Sequence, residues 1–413
     1  MGRGVGIGKD SASVLFNEHG KPLDTDAFHR LRAWSPLALH DNYHKYEIAS
    51  RTWGTTLAGS GSITHLPNES AARLTVTAAD GDRSLLRTHT HFRYQAGRGI
   101  GTLFTGYHSD DDAQLSIVRR SYTSGSAVDV ATPVADWNRD RVDGSPNCAF
   151  TLDLTKGNIF GIDLAWLGVG NVMFHINGVI VHEMENAGMY AMPYMRTPVL
   201  PMSFEIINVG ALQYRRWGLF NDKDGVFFQT VHTRHAASIT SICSSVWSDG
   251  GEDNSHRYSF AAAGGIIQPG ITTQLPLIAI RPALTYNSVT NRTIVFPHQV
   301  SVLNEIRASS IRVYMDPTTL TGGAWVTAGA LSAVEYNITA TAVGGGDLLA
   351  ARFAQLDSDA IIDLSDLFTL LGRHMRLDHT GAVQDTVVVT GLCEGTGAQT
   401  SGMRAVLSWM ESR

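Results

Sequence analysis

The sequence predicts an all-β protein with two antiparallel β-sandwich or jelly-roll-like domains, an extended N-terminal arm and a few short helices. Short runs that alternate apolar and polar residues recur along the chain, as in half-buried antiparallel strands. Turn residues separate these runs, and Gly accounts for 41 of 413 residues. Few segments have both the period and the length of a helix, which favours sandwiches over mixed folds. A chain of 413 residues also exceeds the usual size of one core, so two domains are expected.

Residues 1–50 are predicted to form the arm. Gly alternates with other residues from position 2 to position 8, so the segment cannot bury a core of its own. Such arms often reach across to a neighbouring subunit. Gly8-Lys9 looks like the end of a phosphate loop, but Asp10 stands where a hydroxyl residue would bind magnesium. We therefore reject a phosphate loop here.

The second half of the arm carries a basic and aromatic cluster that includes Arg30, Arg32 and Trp34. Similar clusters bind nucleic acid in some proteins. This chain has a net charge of -6 and a pI near 6.2, so no nucleic-acid role is expected. The three residues are instead candidate subunit or ligand contacts.

No secretory signal and no apolar run of about 20 residues are found in the sequence. We therefore expect a soluble protein, made in a cytoplasm and without a membrane partner. The three cysteines, Cys148, Cys243 and Cys393, have neither disulfide-framework nor metal-ligand spacing, so buried or incidental thiols are expected.

The first sandwich is predicted over residues 51–245. ARLTVTA (residues 72–78) alternates like a half-buried strand. Asn177-Gly178, between NVMFHI and VIVHE, predicts a hairpin with a type I′ turn, because both residues readily adopt positive φ. WNRDRVDG (residues 137–144) predicts a turn in which Asp and Asn side chains accept bonds from nearby backbone amides.

The second β-rich domain is predicted over residues 246–413, with the boundary placed in a polar segment at residues 244–256. Runs such as LPLIAIRPAL and DTVVVTGL predict strands. The main helical candidate is the segment at residues 347–374, where Ser365 or Asp366 would cap a short helix ending at Gly372. The last residues, SGMRAVLSWMESR, predict a final strand.

Four motifs resemble a family of uncharacterised virion structural proteins from tailed phages and large DNA viruses. They are RLRAWSPLALHD (residues 30–41), RYQAGRG (93–99), WNRD (137–140) and WLGVG (166–170). The resemblance implies a non-enzymatic structural component of a phage virion, associated with head, neck or tail. It also implies other virion proteins as partners and a homo-oligomer, whose subunits touch through repeated contacts.

Four more residues follow from these motifs and from elementary chemistry. Arg93, Gln95 and Arg98 combine guanidinium groups with a Gly-containing loop, which suits anion binding. The alternative is a turn that leads into a strand and whose arginines pair with acidic neighbours. Trp137 would contact a glycan in a lectin-like protein. All four are candidate subunit or ligand contacts.

No pattern predicts a catalytic residue, a cofactor or a metal site. His89 with His91, and His232 with His235, have the spacing of a shared strand face, but no third ligand is identifiable, so solvent-facing histidines are expected. The acidic run 110–112 is expected to be a solvated loop, because it lacks calcium-site spacing.

Two alternatives to the virion role remain open from the sequence. The first is a lectin-like module that binds a host-surface glycan through loops of a sandwich. The second is a glycan depolymerase, which needs two nearby carboxylates such as Asp136 and Asp140.

Overall fold

The computed structural model describes residues 36–110, 114–251, 257–269, 273–304, 308–355, 358–369, 374–393 and 400–413. The chain divides into two compact units, Met1–Glu252 and Asp253–Arg413. Strands arranged in antiparallel sheets dominate both units. The predicted all-β fold class is therefore confirmed. Arg30, Arg32 and Trp34 lie outside the described residues.

The described part of the first unit has fifteen strands and one short 3-10 helix (Val134–Asp136). In chain order the strands are β1 (Leu37–Tyr43), β2 (Trp53–Ala58), β3 (Ser62–Leu66), β4 (Ala71–Val76), β5 (Arg83–Thr88), β6 (Ile100–His108), β7 (Gln114–Ser121), β8 (Val128–Pro133), β9 (Asn158–Leu164), β10 (Val172–Ile176), β11 (Val179–Met184), β12 (Met202–Val209), β13 (Leu212–Phe220), β14 (Gly225–Thr233) and β15 (Ala237–Ser248). β4 confirms the strand predicted in ARLTVTA.

Two antiparallel sheets make up this unit. An eight-stranded sheet has the order β11-β10-β9-β6-β15-β4-β3, with β1 also pairing with β15, and a seven-stranded sheet has the order β2-β5-β12-β13-β14-β7-β8. Their facing side chains share one core, in which Phe104 of the first sheet contacts Phe204 and Phe228 of the second. Edge-to-face rings of this kind add to the free energy of burial. The unit is thus a sandwich.

Two segments differ from their predicted places. Residues 37–43 were expected in the extended arm, yet they form β1 and pair with residues 243–248 of β15. Residues 244–248 were expected at the domain boundary and belong to that same strand. Pairing with a neighbouring strand satisfies the backbone groups of both segments, which local polarity does not reveal.

The Asn177-Gly178 hairpin is confirmed. The two residues have φ of 50° and 81°, as a type I′ turn requires. The side chains of Val172, Phe174 and Ile176 are fully buried on one face. Moving the register by one residue would turn this face towards water, so the apolar pattern fixes the strand pairing.

The predicted turn at residues 137–144 is also confirmed. Asn138 replaces a strand partner for β11: its Oδ1 accepts the Glu183 N–H at 2.9 Å, and its Nδ2 donates to the Glu183 carbonyl at 2.9 Å. Asp140 accepts the Val142 N–H at 2.8 Å, and Gly144 has φ of 77°. The Asn138 bonds attach the turn to the edge of the eight-stranded sheet, and the Asp140 bond lies within the turn itself.

Among its described residues, the second unit has fourteen strands and one helix. They are β16 (Arg257–Pro269), β17 (Leu275–Pro282), β18 (Thr285–Tyr286), β19 (Val289–Thr290), β20 (Ile294–Asn304), β21 (Ser309–Met315), β22 (Thr319–Thr321), β23 (Val326–Thr327), β24 (Val334–Asn337), β25 (Ala342–Gly344), β26 (Asp347–Ala354), β27 (Ser358–Asp363), α1 (Ser365–Thr369), β28 (Val387–Cys393) and β29 (Thr400–Ser412). β29 confirms the predicted final strand.

The second unit contains a four-stranded sheet of order β16-β29-β20-β27 and a six-stranded sheet of order β23-β24-β17-β28-β21-β26. Two further ribbons pair β18 with β19 and β22 with β25. Residues from both larger sheets share a core, for example Trp409 of β29 and Val389 of β28. This unit therefore has a sandwich core of its own.

The long helical candidate at residues 347–374 is largely wrong. Two strands, β26 and β27, occupy its first part, and only α1 is helical. Asp363 makes the local bond at the helix start by accepting the Ser365 N–H at 2.8 Å. Gly372 lies outside the described residues. No helix in the described part of the chain is long and apolar enough to span a membrane.

Candidate functional site

The RYQAGRG segment forms the turn that leads into β6. The Arg98 N–H donates to the Gln95 carbonyl at 3.1 Å, and Gly97 has φ of 79°. The Arg98 guanidinium donates to the Gly250 carbonyl at 2.6 Å, and Arg93 and Gln95 have interactions of their own. The turn alternative therefore accounts for the conformation of this segment, with Arg98 bound to backbone rather than to an acidic side chain.

Trp137 lies in the core of the first unit. Its side chain is 5% exposed, and its Nε1–H donates to the Thr132 carbonyl at 3.2 Å. A ring this deeply buried has no free face for a sugar. Of the two carboxylates considered for a depolymerase, Asp136 is exposed, while Asp140 accepts the Val142 and Ala149 N–H groups. Asp140 is thus committed to the turn.

The expectation that both histidine pairs face solvent is wrong for one member of each pair. His91 and His232 are 6% and 5% exposed. His232 and His235 also have a third neighbour, Asp110, whose carboxylate oxygens are 3.5 Å and 3.2 Å from their ring nitrogens. The sequence does not predict this contact with Asp110, because β14 and the loop after β6 come together only in the folded chain. Asp111 and Asp112 lie outside the described residues.

Arg215 already supplies a positive charge to this cluster. Its Nη2 donates to Asp110 Oδ2 at 2.7 Å and lies 3.2 Å from His235 Nε2. Burial raises the pKa of Asp110, but the hydrogen bonds from Arg215, His235 and Ser109 and the charge of Arg215 together outweigh burial and hold that pKa well below its usual range. The guanidinium pairs with the Asp110 carboxylate and balances its negative charge. A metal ion bound by Asp110, His232 and His235 would have the same effect. The arrangement is therefore an ion-pair network around the buried Arg215.

Two buried histidines of the first unit predict a loss of stability in mild acid. Burial, and after it His65, lowers the pKa of His44 to about 4, while burial, Arg215 and His232 hold the pKa of His108 well below its usual value. Both histidines titrate near 6.5 in the unfolded chain, which therefore binds more protons than the folded chain below that pH. The two neutral, buried histidines therefore leave the free energy of unfolding at its full value above about pH 6.5, and this free energy decreases as the pH falls below that value.

We expect the free energy of unfolding of the first unit to fall by about 2 kcal/mol per histidine between pH 7 and pH 5. Urea unfolding followed by tryptophan fluorescence at both pH values measures this. His108→Gln should reduce the pH dependence, whereas exposed His298→Gln should leave it unchanged. Equal stability of the wild-type unit at pH 5 and pH 7 would contradict the assignment.

A groove of about 280 Å³ lies at the β8 edge of the seven-stranded sheet. One wall is the β7–β8 ribbon, where Arg119 faces Val130 and Ser121 faces Val128. Ile117, two residues before Arg119, is fully buried in the core. Because side chains alternate along a strand, the core-facing side of β7 continues outwards into the groove.

The other wall is the loop between β11 and β12. It supplies Tyr190, Met192, Pro193 and Tyr194. Tyr190 and Met192 are 44% and 56% exposed, whereas Tyr194 is 3% exposed. One tyrosine ring is therefore open to a ligand, and the other forms the floor. We call this site the tyrosine groove.

Polar groups close the end of the tyrosine groove at the turn between β7 and β8. Thr123 and Ser124 lie in this turn, beside Ser121 at the end of β7. The volume is close to the lower end of small-molecule sites, roughly 300 Å³. A second cavity, of about 20 Å³, lies among core rings such as Phe104 and Phe160 and has room for no more than water.

Sequence reasoning missed the tyrosine groove entirely. The loop segment GMYAMPYM (residues 188–195) carries one tyrosine between Gly and Pro and a second directly after the Pro, which is a signal for an exposed aromatic loop. Nothing in the sequence places that loop against Arg119. The three cysteines are free, and Cys393 is buried.

No protein-family profile and no curated protein matches the chain. Among solved structures, an endo-β-1,4-glucuronan lyase from the fungus Trichoderma reesei is similar to 51% of this chain and 95% of its own, with 14% identity and a TM-score of 0.29. The carbohydrate recognition domain of Emp47p has 8% identity and a TM-score of 0.26 over 51% of this chain and 94% of its own.

A lectin from Bauhinia forficata in complex with GalNAc has 10% identity and a TM-score of 0.19, over 52% of this chain and 98% of its own. Similarity at this level carries no argument about function. What the tyrosine groove binds must follow from its own side chains.

Proposed function

We propose that the chain is a glycan-binding β-sandwich protein and that the tyrosine groove is its sugar site. The observation that supports this is the pairing, in one groove, of an exposed tyrosine ring with a row of hydroxyl groups. A sugar ring has an apolar face of C–H groups and a rim of hydroxyls. Tyrosine offers an apolar face with a polar tip, and Ser and Thr hydroxyls both donate and accept.

The composition of the groove favours binding over hydrolysis at this place. Hydrolysis of a glycosidic bond usually requires a pair of Asp or Glu side chains flanking it. Among the described residues that line the groove, none is a carboxylate. A host-surface glycan is the partner that suits such a site best. The virion role, its structural partners and the homo-oligomer rest on the sequence resemblance alone and stay predictions.

Replacing Tyr190 with alanine tests the proposal. We expect the purified full chain to bind members of a glycan array, and Tyr190→Ala to weaken that binding about tenfold, because it removes the stacking ring. Tyr46 is 80% exposed and is not part of the groove, so Tyr46→Ala is the matched control and should bind like wild type. A wild-type chain that binds no glycan, or a Tyr190→Ala variant with unchanged binding, would refute the proposal.

A further inference from the structure

Arg119 is a cation without a counter-ion in the described structure. Its Nε is buried and has no hydrogen-bond partner, and its guanidinium lies 4.4 Å from the centre of the Tyr190 ring. The next residue, Arg120, points to the opposite face and binds both carboxylate oxygens of Asp129, at 2.7 and 2.8 Å. Adjacent arginines on one strand are thus used differently: Arg120 is neutralised within the fold, whereas Arg119 keeps its charge in the groove.

The Tyr194 hydroxyl is the second unsatisfied group in the tyrosine groove. It is buried and has no hydrogen-bond partner in the described structure. Burial raises the pKa of Tyr194 above its usual value, so the hydroxyl keeps its proton and remains a donor. A buried donor without an acceptor costs free energy, and native structures seldom leave one without a reason.

We infer that the ligand of the tyrosine groove is an acidic sugar whose carboxylate is bound by Arg119 and Tyr194. This inference rests on the proposed function and names its substrate class. A carboxylate accepts from a guanidinium and a phenol together, and charge-assisted bonds of this kind are the strong ones. No carboxylate of the described lining competes for Arg119. The Arg119 guanidinium lies over one face of the Tyr190 ring, so the apolar face of the same sugar ring packs against the opposite face of Tyr190.

Two sources of a sugar carboxylate fit this chemistry, a uronic acid and a sialic acid. Calorimetric titration of the full chain with trigalacturonate and with 3′-sialyllactose distinguishes them. The methyl ester of each oligosaccharide removes the charge while keeping the sugar, and lactose serves as the neutral counterpart of sialyllactose. We expect one of the two acids to bind, its ester to bind roughly 10- to 100-fold more weakly, and added salt to weaken the acid alone.

Two variants assign the contacts. Arg119→Gln should reduce the affinity for the acid roughly 10- to 100-fold and bring it to that of the ester, while Tyr194→Phe should reduce it several-fold. Arg141→Gln removes one positive charge from an exposed position outside the groove, so it is the matched control and should bind like wild type. Circular dichroism establishes that each variant is folded.

The outcomes separate this inference from the proposed function. If acid and ester bind equally, or if Arg119→Gln weakens both equally, the acidic-sugar inference fails while glycan binding stands. If no acidic or neutral glycan binds, both fail. Loss of acid binding in Arg119→Gln, with binding of the ester retained, supports the inference.

Discussion

Replacing Glu205 with alanine is expected to lower the free energy of unfolding of the first unit by about 3–5 kcal/mol. Glu205 is 2% exposed on β12, and its carboxylate accepts from Arg83 Nε at 2.7 Å and from Arg216 Nη1 at 3.1 Å. Burial raises the pKa of Glu205, but Arg216 and Arg83 outweigh burial and lower it. Without the Glu205 carboxylate, the guanidinium groups of Arg83 and Arg216 lose their counter-ion in a poorly solvated site, which destabilises the folded state.

Urea unfolding at pH 7 measures this change. Glu185 is exposed, so Glu185→Ala is the matched control and should alter the free energy of unfolding by less than about 0.5 kcal/mol. If Glu205→Ala stays within about 1 kcal/mol of wild type, water neutralises the arginines and the network contributes little to stability.

Gly170→Ala is expected to destabilise the first unit by at least about 3 kcal/mol. A Cβ at this position would lie 1.6 Å from the Ala165 carbonyl oxygen and 2.8 Å from that of Trp166. Both are backbone atoms at the start of the turn, one from Ala165 directly before WLGVG and one from Trp166 within it, so the turn itself has to open. The Gly168 carbonyl in this turn accepts the Tyr194 N–H at 3.3 Å, which joins the turn to the tyrosine groove. Sugar binding should therefore weaken together with stability.

Gly157 provides the control for this substitution. A Cβ there would meet nothing within 4 Å, so Gly157→Ala should unfold at nearly the wild-type urea concentration. If the Gly170→Ala variant is as stable as wild type, the turn accommodates a Cβ without the clash with the Ala165 carbonyl oxygen, and the prediction is wrong.

The elements that were predicted correctly from the sequence are those that depend on neighbouring residues alone. The Asn177-Gly178 hairpin depends on two neighbouring residues with positive φ, so the sequence alone reveals it. The segment before α1 misled because Leu and Ala favour helices, whereas β26 pairs with β21 across the fold. Tertiary pairing overrode local propensity there.

The tyrosine groove depends on contacts between distant parts of the chain. Arg119 and Tyr190 lie on different elements, and only the sandwich brings the guanidinium within 4.4 Å of the ring centre. Trp137, an attractive glycan contact by residue type, is instead buried in the core. Residue type indicates what a side chain can bind, but burial decides whether a ligand reaches it.

A crystal structure of the full chain with whichever acidic oligosaccharide binds more tightly, 3′-sialyllactose or trigalacturonate, tests the central claim most directly. We predict density for a sugar ring against the exposed face of Tyr190, with its carboxylate within hydrogen-bonding distance of Arg119 and Tyr194. An ordered oligosaccharide bound elsewhere on the chain, with the tyrosine groove empty at saturating ligand, would contradict the claim.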